Sequence, residues 1–281
     1  MSRANPGSRW KRENHVSQTI SARQLGEFRA FAEELTALAS AAVRAQIAHP
    51  SVEIKSDGSP VTAVDLAVEK VLRERIDAAY PQHGILGEEF GSRDLDAEWV
   101  WVVDPIDGTR QFAAGLPNYG ILIALCQHGR PLLGVICQPL LGDVYLGIAG
   151  QGAWLNGVPI RTRTTARLAD SIVCISDPDC FRGATAAGFE VLRRGSHWNV
   201  YDGGCLGFGA LAAGRLDLSL CGPTLDAFDI CALVPVVEGA GGVITDWRGN
   251  PLTLALSGAI VAACSADLHA EALEILARSR E

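Results

Sequence analysis

Apolar residues return at helical spacing from Leu25 through Phe28, Phe31, Ala32, Leu35, Leu38, Ala39 and Ala42, and Pro50 stands where the pattern should stop. The spacing predicts one long amphipathic helix over 25–47. A turn cluster, Lys55-Ser56-Asp57-Gly58-Ser59-Pro60, leads into a second helical period from Val61 to Tyr80, carried by Val64, Ala67, Val68, Val71, Leu72 and Ile76, with Asp65 at its start. Ile85-Leu86-Gly87-Glu88-Glu89 reads as a short strand ending in carboxylates. Trp99-Val100-Trp101-Val102-Val103 mixes aromatic and β-branched residues, as in a strand buried on both faces, and Pro105 predicts that it ends at Asp104. Residues 119–128, 131–138 and 143–149 predict an antiparallel meander with turns at Gly129-Arg130 and Leu141-Gly142. Beyond Gly150, strands at 171–176, 216–221, 242–246 and 258–263 alternate with helical periods at 203–214, 229–240 and 266–279, the pattern of an α/β layer. The expected organisation is a flexible extension over 1–22, an α+β domain over 23–150 that carries a metal site, and an α/β domain over 151–281 that completes the active site.

Composition narrows the class. The chain has 281 residues, 48% of them hydrophobic, with 30 glycines and 13 prolines, enough for a sizeable core with many tight turns. Its net charge of -8 and the lack of a basic stripe with interleaved aromatics argue against a nucleic-acid partner. No run reaches the roughly 18 apolar residues of a membrane span. Met1 to His15 carries Arg3, Arg9, Lys11 and Arg12 with no apolar stretch behind them, so no secretory signal is read there. The eight cysteines show neither a C-x-x-C nor a Cys/His pattern and are read as reduced core thiols in a cytoplasmic protein.

The chemistry concentrates at Asp104-Pro105-Ile106-Asp107-Gly108-Thr109. A buried strand there delivers two carboxylates to one point, which suits a divalent metal. If Thr109 opens a helix, the Gly108 and Thr109 amides lie at the positive end of its dipole, where a phosphate can dock. Asp65, Glu88 and Asp229 are further acids at element ends. Any one of these acids taken singly is an ordinary cap or turn residue. Together, each where the core meets a cleft, they form an oxygen-only donor set that selects a hard cation such as Mg²⁺ or Mn²⁺. Gly207-Phe208-Gly209-Ala210-Leu211-Ala212 imitates a dinucleotide fingerprint, but no apolar strand precedes it and tight helix packing explains its small residues.

Over roughly 30–275 the chain resembles the inositol monophosphatase superfamily of Mg²⁺-dependent phosphatases. The resemblance rests on Gly87-Glu88-Glu89, the Asp104 to Thr109 segment, Phe228-Asp229 leading into Glu238-Gly239-Ala240-Gly241-Gly242, Lys55, and Pro60 to Asp65. It implies an α+β, α/β layered sandwich (αβαβα) of the sugar-phosphatase type, usually as a homodimer. It further implies two to three Mg²⁺ ions: one on Glu88, Asp104 and the Ile106 carbonyl, a second on Asp104, Asp107 and Asp229, and a weaker third on Glu88. Thr109 and Asp65 would orient and deprotonate a water. Gly108, Thr109, Arg110, Gly204, Cys205 and Asp229 would contact a small phosphate ester.

Arg110, Pro139 and the Asp229 to Glu238 stretch are most similar to the histidinol-phosphatase branch, with an inositol, other cyclitol or sugar phosphate as the alternative substrate. A noncatalytic metal- and phosphate-binding scaffold would be expected to lose carboxylates or the threonine, and a nucleotide phosphatase to carry more basic or aromatic residues. The chain departs from the histidinol branch at Gly203-Gly204-Cys205, where Gly-Asp-Cys is usual, and at Gly222, where an acid is usual. Asp202, Asp217 and Asp226 are the carboxylates near enough in sequence to compensate.

Overall fold

The computed structural model describes residues 20–46, 51–56 and 58–278. Most of the expected extension, together with Ile47, Pro50 and Asp57, lies outside the described residues. Helix α1 (Ala22–Ala45) starts at Ser21, whose hydroxyl accepts the Gln24 N–H at 3.1 Å, and it buries Leu25, Phe28, Phe31, Leu35, Ala39 and Val43. Ile20, expected within the extension, packs on the same core.

A hairpin of β1 (Val52–Ile54) and β2 (Pro60–Thr62) follows, so the second helix, α2 (Ala63–Ala79), begins two residues later than its apolar period suggests. Thr62 caps it. The Thr62 hydroxyl accepts the Val64 and Asp65 amides while Asp65 accepts the Thr62 N–H, a reciprocal capping box.

Both helices cover one face of an eight-stranded sheet built from β3 (Gly84–Gly87), β4 (Gly91–Arg93), β5 (Trp99–Asp107), β6 (Gly120–Gln127), β7 (Arg130–Gln138), β8 (Asp143–Ile148), β9 (Gly152–Leu155) and β10 (Val158–Pro159). Its order is β10-β9-β8-β7-β6-β5-β3-β4, so the meander runs as its spacing predicts and continues through two strands not anticipated.

Strand β5 corrects one expectation. It does not end at Asp104 but runs on to Asp107, because the ladder slips between those residues: Asp104 pairs with Leu122 and Asp107 with Gly120. Three steps along β5 match two along β6. The extra residue is a β-bulge, and Pro105, which has no N–H to donate, is tolerated inside it. In a regular strand side chains three apart point to opposite faces; the bulge restores Asp104 and Asp107 to the same one.

The far face of this sheet packs on a middle helical layer. Helix α5 (Gly204–Ala212) and the pair α6 (Ala227–Ile230) and α7 (Leu233–Gly239) lie between it and a second, five-stranded sheet. The single helix expected over 229–240 is thus two helices broken at Cys231-Ala232, with Asp226 as the N-cap of the first. The second sheet, ordered β12-β11-β13-β15-β14, contains β11 (Ile172–Ile175), β12 (Trp198–Tyr201), β13 (Leu218–Cys221), β14 (Val243–Asp246) and β15 (Ile260–Ala263), and its pairing is mixed parallel and antiparallel. Helices α4 (Ala186–Gly195) and α8 (Ala266–Arg278) pack together outside it. Helix α4 and strand β12 have no counterpart in the expected pattern. The whole is five layers, αβαβα, with three hydrophobic clusters: one between the first two helices and the large sheet, one running through the middle helices to both sheets, and one between the small sheet and the outer helices.

Seven of the eight cysteines are buried and Cys180 is half-buried; all are free. No helix among the described residues is long and apolar enough to cross a membrane.

Candidate active site

The β5 bulge places Asp104 and Asp107 at the end of the large sheet, and α6 brings Asp229 to them from the middle layer. Carboxylate oxygens of the three lie within 4.8 Å of one another. Asp104 is 1% exposed, and its Oδ1 accepts the Ile106 N–H at 3.0 Å. Asp107 Oδ2 accepts the Cys205 N–H at 2.8 Å, and Asp229 Oδ2 accepts the Asp226 N–H at 2.6 Å. These amides aim the carboxylates without neutralising them.

Burial pushes the Asp104 carboxyl well above its ordinary range, and the charges of Glu88, Asp107 and Asp229 push it further. Asp229 is displaced the same way, by burial and then by Asp107. Asp104 and Asp229 are therefore each destabilised as an anion by burial and by the carboxylates beside them. None of the three pairs with a lysine or arginine among the described residues, and no histidine lines the cleft. Such a donor set, all oxygen and short of positive charge, fits a hard divalent ion.

Glu88 stands outside the 4.8 Å group. It lies in the turn after β3, where Lys55 Nζ reaches its Oε1 at 2.9 Å and the Glu89 carboxylate at 2.8 Å. Burial raises the Glu88 carboxyl and Lys55 opposes that rise, while burial of Glu89 carries its carboxyl to about 7.

The turn is pinned from beneath by a residue the apolar pattern hides. Glu69 of α2, 0% exposed, accepts the Glu89 N–H at 2.7 Å, the Phe90 N–H at 3.1 Å and Arg73 Nε at 2.7 Å. Gly87 is required by this arrangement, because a Cβ there would fall 2.0 Å from Glu69 Oε1. Glu69 is a charged position in an amphipathic helix, and only the folded chain distinguishes it from its solvent-facing neighbours.

Asp65, fully buried, joins the cluster to Thr109. One carboxylate oxygen accepts the Thr62 N–H at 2.9 Å and the Thr62 hydroxyl; the other lies 3.3 Å from Thr109 Oγ1, which is also 3.1 Å from the Ile106 carbonyl. Burial raises the Asp65 carboxyl and these hydrogen bonds restrain the rise. Thr109 opens the short helix α3 (Thr109–Ala113), with Gly108 as its N-cap at φ 94, a left-handed conformation that favours glycine.

A cleft of about 280 Å³ rises from the acids and collects the other predicted residues Gly108, Thr109, Arg110, Gly204 and Cys205 on its walls. Arg110 is at the rim, with Nη1 3.5 Å from Asp177 Oδ2. A Cβ on Gly204 would lie 3.1 Å from Asp107 Oδ2. Gly222 is not an empty notch: a Cβ there would lie 2.4 Å from that of Cys180. Of the three aspartates able to compensate for it, Asp202 lines the cleft, Asp226 caps α6, and Asp217 is buried against Arg163 at 3.0 Å. Gln111 and Asn118, which hold the Asp202 carboxylate, have no distinguishing mark in the sequence.

The sequence model of the inositol monophosphatase family matches residues 24–281. A chloroplastic bifunctional phosphatase of Arabidopsis thaliana, IMPL2, is 39% identical over 79% of this chain, a match spanning 66% of that protein. A histidinol-phosphatase of Chlorobaculum parvum is 35% identical over 70% of this chain and 76% of its own length. Among solved structures, an inositol monophosphatase from Zymomonas mobilis superposes with a TM-score of 0.83 at 34% identity, over 92% of this chain and all of that one.

Proposed function

The chain belongs to the inositol monophosphatase family, hence is a phosphatase acting on small phosphate esters, and we propose that it is a Mg²⁺-dependent phosphomonoesterase whose substrate is histidinol phosphate. The observation that carries this reading is the convergence of buried Asp104 with Asp107 and Asp229, which line the cleft, within 4.8 Å and beside the Asp65–Thr109 link. The similarity to the Chlorobaculum enzyme supports the substrate; the likeness to the Zymomonas enzyme supports inositol 1-phosphate, or another cyclitol or sugar phosphate, as the alternative.

Asp104, Asp107 and Asp229 would hold one divalent ion, and Glu88, Asp104 and the Ile106 carbonyl another, with a weaker third at Glu88; Mn²⁺ is an acceptable substitute by donor chemistry. When bound, such ions neutralise phosphate oxygens, acidify a water and stabilise the leaving alkoxide.

The chain's own groups do the rest. Thr109 Oγ1 has one proton and two acceptors in reach, Asp65 Oδ1 and the Ile106 carbonyl, so its lone pairs remain open to accept from a water in the cleft. A proton taken at Thr109 Oγ1 passes to Asp65 Oδ1, where burial already favours the protonated carboxyl. The Gly108 and Thr109 amides, with Arg110 at the rim, would orient the phosphate. Cys205 and Gly204 serve less directly, since the Cys205 amide is spent on Asp107.

We also infer a homodimer in the cytoplasm. Leu116, Leu140 and Leu141 are exposed on two loops joined through Gln138, which bonds the Pro117 carbonyl and the Leu141 amide, and β12 leaves Trp198 and Tyr201 exposed on an open sheet edge. Sedimentation of the full chain reads the dimer.

The substrate is tested by Mg²⁺-dependent phosphate release from histidinol phosphate, inositol 1-phosphate, fructose 1,6-bisphosphate and adenosine 3′,5′-bisphosphate, compared by kcat/KM. A lead of about a hundredfold for histidinol phosphate, roughly 2.7 kcal/mol of transition-state preference, supports the reading; a lead for inositol 1-phosphate replaces it with the alternative.

A further inference from the structure

The cleft above the acidic floor has one wall whose chemistry the phosphate does not use. Asp202 follows β12 in a left-handed conformation, φ 61, which is uncommon for a residue with a side chain and turns it into the cleft. Its carboxylate is held from both sides by neutral amides. Gln111 Nε2 donates to Oδ1, Asn118 Nδ2 donates to Oδ2 at 2.7 Å, and the same Asn118 nitrogen reaches the Asp202 carbonyl at 2.9 Å. Gln111 lies in α3, the helix that presents Thr109, and Asn118 follows it, so the Asp202 carboxylate is braced by the segment that carries the reacting centre.

Two amide donors leave about two of the four lone-pair sites of a carboxylate open. They also leave its charge intact: no lysine or arginine among the described residues forms an ion pair with Asp202, whereas nearby Asp177 is paired with Arg110 and Glu88 with Lys55. Across the cleft, position 222 cannot supply a carboxylate, because Cys180 occupies the space a side chain would need. Position 204 cannot either, since its Cβ would meet Asp107 at 3.1 Å in a left-handed backbone.

We propose that Asp202, braced by Gln111 and Asn118, is the group that recognises the positively charged end of the alcohol whose phosphate is removed. The substrate class is therefore a cationic amino-alcohol phosphate rather than a neutral polyol phosphate. This deepens the reading of the preceding section and rests on it. Charge-assisted hydrogen bonds to a fixed carboxylate discriminate strongly between a cation and a neutral hydroxyl.

The test compares the full-length wild type with Asp202→Asn, in Mg²⁺, on histidinol phosphate and inositol 1-phosphate. The ratio of the two kcat/KM values is expected to fall at least thirtyfold in the variant, about 2 kcal/mol at 1.4 kcal/mol per tenfold, chiefly through KM for histidinol phosphate. A ratio that stays within threefold of wild type overturns the proposal. If Asp202→Asn does not fold, inhibition of the wild type decides: histidinol should inhibit at least tenfold more tightly than myo-inositol, and equal inhibition overturns the assignment. Hydrolysis of inositol 1-phosphate alone, with the ratio unmoved by the substitution, refutes Asp202 and leaves the phosphatase standing. No phosphate release from any ester refutes the phosphatase reading itself, and the proposal with it.

Discussion

Replacing Gly87 by alanine tests how the acidic turn is held. A Cβ built at Gly87 falls 2.0 Å from Glu69 Oε1, 2.4 Å from Glu69 Cδ and 2.9 Å from Arg73 Nη2, all within a buried ion pair. The carboxylate must move. Doing so weakens its bonds to the Glu89 and Phe90 amides, and hydrogen bonds to a charged acceptor are worth about 1.5–3 kcal/mol each. With partial relaxation the expected loss is about 3–5 kcal/mol, a large share of the 5–15 kcal/mol typical of a folded domain. Urea unfolding followed through the buried Trp99 and Trp101 reads this directly. Because the same amides position Glu88, half-saturation by Mg²⁺ should also shift to higher concentration. Gly26→Ala is the control: it lies in α1 with nothing within 4 Å of a new Cβ, so it should be neutral or stabilising by up to about 1 kcal/mol. If Gly87→Ala unfolds within about 1 kcal/mol of wild type and keeps its Mg²⁺ dependence, the steric argument is wrong.

Other consequences are separable from this one. Thr109→Val removes the hydroxyl that links Asp65 to the cleft; kcat should drop about a hundredfold or more with little change in KM, and retention of a third of the rate would deny it a role in proton transfer. His83 offers a pH test far from the acids. Trp101 Nε1 donates to its Nδ1 at 3.1 Å and burial lowers its pKa from 6.5 to about 4. A depressed histidine contributes stability as the neutral ring, present above pH 6.5 and lost as pH falls toward 4. The urea midpoint of wild type minus that of His83→Gln should therefore shrink across that interval; a difference that stays constant or grows on acidification contradicts the environment assigned to the ring.

What the linear chain disclosed, and what it hid, follows from where each signal resides. The strands of the meander are visible because their apolar runs are bounded by turn residues, and α1 and α2 because their buried faces repeat over several turns. Asp65, Glu88, Asp107 and Asp229 stand out in the sequence because each sits at or near an element end, whereas Asp104 lies at a bulge inside β5. The length of β5 is hidden because Pro105 forbids a regular ladder but not a bulge, and the bulge is a property of the pairing with β6. The break between α6 and α7 is marked only by Pro235, which a helix tolerates in its first turn but not in the interior of a single helix over 229–240, and β12 is an edge strand with mostly exposed residues and so no buried period. Glu69, Gln111 and Asn118 act on groups 20 to 91 positions away, which no local pattern encodes.

The central claim is that Asp104, Asp107 and Asp229 form a divalent-cation site that hydrolyses phosphate esters. Its most direct test is Mg²⁺-dependent phosphate release from histidinol phosphate by wild type and Asp104→Asn, with thermal unfolding measured on both proteins with and without Mg²⁺. The account predicts a Mg²⁺-induced rise in melting temperature for wild type only, and loss of nearly all turnover in a variant that remains folded. A folded Asp104→Asn protein that keeps more than a tenth of the wild-type rate, or that is stabilised by Mg²⁺ as strongly as wild type, contradicts it.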